Sequence, residues 1–90
     1  MNKYLRPVDA QIDLHKMTKD EARREVETFL KKAAASGYKK IRIITGKGIH
    51  SENSKGVLNS YVKGLLDFKG YDYRSAKHGE GGEGAIDVSL

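Results

Sequence analysis

No cysteine occurs among the 90 residues, which excludes a disulfide-stapled scaffold and a thiolate metal site. Tryptophan is absent as well, and Pro7 is the sole proline. Long apolar runs are missing: the longest are a few residues, such as Ile43-Ile44 and Ala33-Ala34-Ala35. A bilayer-spanning helix needs about 20 apolar residues, so no membrane partner is expected. The opening Met1-Asn2-Lys3-Tyr4-Leu5-Arg6-Pro7 has no apolar core of signal-peptide length, and a cytoplasmic location is the expectation. Hydrophobic content of 38% supports one small core in one domain, because a chain this short is marginal for stability.

Charge and glycine are unevenly spread. Residues 1–45 carry eleven basic and six acidic side chains, and residues 46–90 carry six of each. The whole net charge of +5 therefore lies in the first half. A basic half suits an anionic partner such as nucleic acid, and equally suits an ordinary basic surface. Glycine is skewed the other way, with none before Gly37 and four between Gly79 and Gly84.

Residues 1–9 read as an N-terminal extension and residues 10–90 as the domain. Ala10-Gln11-Ile12-Asp13-Leu14-His15 alternates apolar and polar, the period of a half-buried strand. Thr18-Lys19-Asp20-Glu21 fits a capping box. Ala22, Val26, Phe29, Leu30 and Ala33 follow at helical spacing, and Gly37 provides a left-handed stop. Lys39 to Thr45 is β-branched and predicts a second strand. A loop, Gly46-Lys47-Gly48-Ile49-His50-Ser51, comes next. Asn53 or Ser54 caps a second helix with a stripe of Val57, Leu58, Tyr61, Val62, Leu65 and Leu66, ended by Gly70. Gly64 inside that helix costs about 1 kcal/mol against alanine; either it marks a close approach to the sheet or it is simply tolerated. Tyr71 to Lys77 and Ala85 to Leu90 complete the strands. The order βαβαββ predicts an α/β two-layer sandwich, a four-stranded mixed sheet with two helices on one face. Strand–helix–strand units place their strands parallel and side by side.

If the first two strands are parallel, their carboxyl ends meet at one edge, where ligands of open α/β sheets bind. Asp13 and His15, two apart on a strand, project from one face. An imidazole moves protons near neutral pH, and a carboxylate beside it fixes its tautomer or ligates a metal. Thr45-Gly46-Lys47-Gly48 lacks the spacing of the common nucleotide loops. Its glycines allow amides to approach a phosphate, with the charge of Lys47 added, or they simply make a turn. His50 and Ser51 are candidates to bind a phosphate or a base. His78 precedes the last glycine cluster, whose Glu80 and Glu83 oppose an anion. Lys40 and Arg42 share one face of the second strand. If the helices cover the other face, this basic one suits a phosphate backbone.

Ile12-Asp13-Leu14-His15, Thr45-Gly46-Lys47-Gly48-Ile49-His50-Ser51 and Gly81-Gly82-Glu83-Gly84-Ala85-Ile86-Asp87-Val88-Ser89-Leu90 occur in this order and spacing. Together they resemble the Smr (small MutS-related) domain over residues 10–90. The resemblance implies a sandwich similar to the C-terminal domain of bacterial translation initiation factor three. It also implies nucleic-acid binding and endonuclease activity, with Asp13 and His15 catalytic. Lys40, Arg42, Thr45, Gly46, Lys47, Gly48, His50, Ser51 and His78 are the expected nucleic-acid contacts. The sequence departs from the family in three places. Lys16 stands where a glycine usually follows the histidine, Ile12 replaces a leucine, and Gly79-Glu80 separates His78 from Gly81. The expected partner is DNA or RNA. With RNA, the 2′-hydroxyl serves as nucleophile and no metal is needed; with DNA, a water activated by a divalent metal ion is the route. The alternatives are a non-catalytic module binding nucleic acid or the ribosome, and an enzyme acting on a phosphorylated small molecule.

Overall fold

A computed structural model describes residues 7–46, 57–76 and 84–90. Its elements are β1 (Ala10–Asp13), α1 (Lys19–Ala35), β2 (Lys40–Ile44), α2 (Val57–Lys69), β3 (Asp72–Ser75) and β4 (Ala85–Ser89). The sheet order is β1-β2-β4-β3. β1 is parallel to β2, and β4 is antiparallel to both β2 and β3. β2 and β3 are thus parallel, as a strand–helix–strand unit requires, but β4 lies between them. The expectation of side-by-side neighbours holds for β1 and β2 only.

Local signals set both ends of α1. Thr18 Oγ1 accepts from the Glu21 amide at 3.1 Å, and Glu21 Oε1 accepts from the Thr18 amide at 2.9 Å. Such a cap contributes about 1 kcal/mol. At the other end the Tyr38 amide donates to the Ala33 carbonyl and the Gly37 amide to that of Ala34. Gly37 has φ +75°, so this is a Schellman ending. α2 ends the same way, with Tyr71 donating to Leu66, Gly70 to Asp67, and Gly70 at φ +82°. The expected caps of α2, Asn53 and Ser54, lie outside the described residues.

One core joins the layers. Ala22, Val26, Leu30 and Ala33 of α1 pack with Val62 and Leu66 of α2 on Leu14, Ile41, Ile43, Ile86 and Val88. Both helices therefore cover one face of the sheet. Phe29, Leu58 and Leu65 pack at its margin. Val57, at the first turn of α2, is exposed. Gly64 is exposed too, and a Cβ there would meet nothing within 4 Å. Of the two readings of Gly64, the close approach to the sheet does not occur, and a tolerated glycine remains. No helix among the described residues is long and apolar enough to cross a membrane.

Pairing at the β1 edge begins at Asp9, within the stretch assigned to the extension. Its amide donates to the Lys40 carbonyl at 2.8 Å. Its carboxylate accepts from the amides of Lys39 and Lys40, at 2.7 and 3.1 Å. At the opposite end, Asp13 lies beside Ile44 in register. The carboxyl ends of β1 and β2 are therefore adjacent, as the sequence predicts for parallel strands.

Candidate active site

β1 stops at Asp13, two residues earlier than the alternation suggests. Leu14 still donates to the Ile44 carbonyl at 2.7 Å, and then the Met17 amide returns to the Leu14 carbonyl at 3.0 Å. That bond closes a four-residue turn with His15 and Lys16 at its centre. Asp13 Oδ1 accepts from the His15 amide at 3.0 Å and lies 2.6 Å from His15 Nδ1. Asp13 and His15 do meet, but through a side chain folded onto the backbone two residues on, not through a shared strand face. Lys16 has φ +69°. It occupies the turn position where a type II turn requires positive φ and usually glycine.

The donors around Asp13 set its charge. The His15 backbone amide first, and the imidazole second, hold its carboxyl below the ordinary value of 3.8. An ionised carboxylate only accepts hydrogen bonds, so the 2.6 Å contact places a proton on His15 Nδ1. In the neutral imidazole Nε2 is then the proton acceptor. The side chains of His15 and Asp13 are 55% and 49% exposed, which leaves the ring open to a ligand. Among the described residues no three His, Asp or Glu side chains gather as a metal site.

Gly46 backs His15. It has φ +79°, and a Cβ on it would lie 3.0 Å from His15 Cβ. Its position is fixed by Gly84, whose carbonyl accepts from the amides of Thr45 at 2.8 Å and Gly46 at 3.1 Å. Thr45 Oγ1 lies 3.3 Å from the same carbonyl and accepts from Asn59 Nδ2 at 3.1 Å. Thr45 is buried. The Gly46 amide and the Thr45 hydroxyl, expected to face a phosphate, are thus directed at Gly84. Lys47, Gly48, His50, Ser51 and His78 lie outside the described residues. Asn59 and Gly84 escaped the sequence reading as site residues. Gly84 belonged to a visible glycine cluster. Asn59 was a short polar residue one turn before the buried Val62.

Lys40 and Arg42 also have a partner the sequence did not suggest. Arg42 Nε and Nη2 donate to the two carboxylate oxygens of Asp87, at 2.7 and 3.1 Å. Lys40 Nζ lies 3.6 Å from Asp87 Oδ2. The Lys40 and Asp87 side chains are each 5% exposed. Arg42 faces Asp87 directly in the β2–β4 register. The expected open basic surface is therefore a buried ion cluster, because β4 brings a carboxylate between the cations.

Comparison with known proteins agrees with these motifs. The Smr domain family model matches residues 12–90. Endonuclease MutS2 of Fusobacterium nucleatum is 40% identical over 84 residues, which is 93% of this chain and 10% of that protein. The chain thus spans about a tenth of the length of this curated relative. Among solved structures, the Smr domain of Thermus thermophilus MutS2 has a TM-score of 0.80 at 32% identity, covering 90% of this chain and 96% of that one. YdaL, a stand-alone small MutS-related protein from Escherichia coli, has a TM-score of 0.78 at 32% identity, covering 93% and 66%. With the family model matched over most of its length and the same fold around Asp13, His15 and Gly46, the chain belongs to the Smr domain family.

Proposed function

We propose that this domain is an endonuclease that cleaves phosphodiester bonds in RNA or DNA, with His15 as its proton-transfer residue. The observation that carries this reading is the Asp13–His15 pair at 2.6 Å. It sits half-exposed at the carboxyl edge of the sheet, with Gly46 packed behind it. The endonuclease name of the Fusobacterium nucleatum relative supports the same class of reaction.

On RNA, His15 Nε2 takes the proton of a 2′-hydroxyl. The 2′-oxygen attacks the adjacent phosphorus, the bond from phosphorus to the 5′-oxygen breaks, and that oxygen takes a proton from solvent water. The products are a 2′,3′-cyclic phosphate and a 5′-hydroxyl. Asp13 keeps Nδ1 protonated and stabilises the imidazolium that forms, which favours transfer at Nε2. On DNA the 2′-hydroxyl is missing, and a metal-activated water would replace it as nucleophile. Lys47 and the Gly48 amide remain the candidates to neutralise charge on the phosphate, with His50, Ser51 and His78 as further contacts.

The test is purified wild type against His15→Ala on matched single- and double-stranded RNA and DNA. Wild type is expected to cut at least one of the four, with a loss of about 10²–10⁴-fold in the variant. An RNA carrying one 2′-deoxy nucleotide at the cut site, with and without chelator, then separates the two nucleophiles. Cutting that survives the substitution rules out the 2′-hydroxyl route. A domain that binds and never cuts is the binding module instead.

A further inference from the structure

Lys16 breaks two local rules at once. Its φ of +69° is the left-handed region that L side chains disfavour. Glycine would fill this turn position without strain. Lys16 also stands two residues before Thr18, the N-cap of α1. A cation before a helix N-terminus is disfavoured by the positive end of the dipole, a cost that Asp20 and Glu21 in the first turn of α1 reduce. Lys16 gains no partner in return: it is exposed, and it has no hydrogen bond or ion pair among the described residues. A residue that breaks local rules without a structural return is a candidate for function, above all in a turn that carries a site.

That turn is the one holding His15. Two of the cations the sequence offered for gripping a polyanion, Lys40 and Arg42, are directed at Asp87. Lys19 lies over the Tyr61 ring, 5.8 Å from its centroid. Lys16 follows His15 in the chain and carries an exposed ammonium. We propose that Lys16 is a phosphate-binding residue of this site, holding the nucleic-acid backbone beside the phosphodiester offered to His15. This rests on the nucleic-acid reading above and adds a contact to it. Such a contact raises affinity and salt dependence, because each neutralised phosphate releases condensed counterions.

The probes are a fluorescein-labelled single-stranded RNA of about 20 nucleotides and a DNA duplex of the same length, titrated by anisotropy over a range of salt. Lys16→Gly should bind on the order of 5–10-fold more weakly near 0.1 M salt, with a log–log salt slope shallower by about 0.7–0.9. The same variant should melt about 2–6 °C higher, since glycine relieves the turn. A variant that binds less while folding better cannot owe its loss to unfolding. Lys16→Arg should keep wild-type affinity and slope. Wild-type affinity and slope in Lys16→Gly would overturn the proposal and leave the endonuclease reading standing. If wild type itself binds neither probe, the nucleic-acid reading fails, and the role of Lys16 fails with it.

Discussion

Asp13 and Asp87 each hold a nitrogen at close range, 2.6 Å to His15 Nδ1 and 2.7 Å to Arg42 Nε. Their surroundings differ. Asp13 is about half exposed at the end of β1, and Asp87 is buried within β4 between Arg42 and Lys40. An exposed ion pair typically contributes about 0–1 kcal/mol. Removing one member of a buried pair costs about 3–5 kcal/mol, because the partner charge is left without compensation. The fold therefore depends on the Asp87 cluster and hardly on the Asp13 pair, which leaves Asp13 and His15 available for chemistry. Positive charge counted along a sequence is not the same as positive charge offered to a ligand.

The largest effect should come from breaking the buried side of this contrast. Asp87→Ala is expected to lower stability by about 3–5 kcal/mol, and Asp13→Ala by less than about 1 kcal/mol. Urea unfolding of both variants checks this, and equal losses would remove the distinction. Next is Gly46→Ala. Its φ of +79° and the 3.0 Å approach to His15 Cβ predict a loss of about 1–3 kcal/mol. They also predict slower cleavage, as His15 is displaced. A Gly46→Ala domain with wild-type stability and rate would show that Gly46 does not back the ring. The smallest effect has the opposite sign. Gly64 faces open space within α2, so Gly64→Ala should raise stability by about 1 kcal/mol. Cleavage per folded molecule should stay unchanged, since Gly64 touches neither carboxylate. A destabilised Gly64→Ala would mean that the α2 surface is covered by something else.

Short-range features of this fold were legible in the sequence. The Thr18–Glu21 capping box and the stops at Gly37 and Gly70 depend on residues a few positions apart, so composition and spacing suffice to find them. The convergence of Asp13, His15 and Gly46 was also visible, because parallel β1 and β2 must end at one edge. The means was different: Asp13 reaches His15 through a turn, and the positive φ of Lys16 that closes it leaves no mark in a hydrophobic pattern. Pairings across the sheet were not legible. Arg42 meets Asp87 only because β4 enters between β2 and β3 in one register, and nothing near either residue signals the other. The same holds for Asn59 and Gly84. Their grip on Thr45 depends on where α2 and the start of β4 come to rest, which the core decides.

The proposed cleavage requires Asp13 and His15 to act as one unit on the phosphodiester. The direct test is the single-turnover cleavage rate of Asp13→Ala, His15→Ala and the double variant on one RNA, with binding measured in parallel. If Asp13 acts by orienting His15, the double variant loses no more than His15→Ala alone, because residues working as a unit are strongly non-additive. Binding should remain near the wild-type value in all three. Losses that multiply in the double variant, or a His15→Ala domain that cleaves at the wild-type rate, would contradict the account.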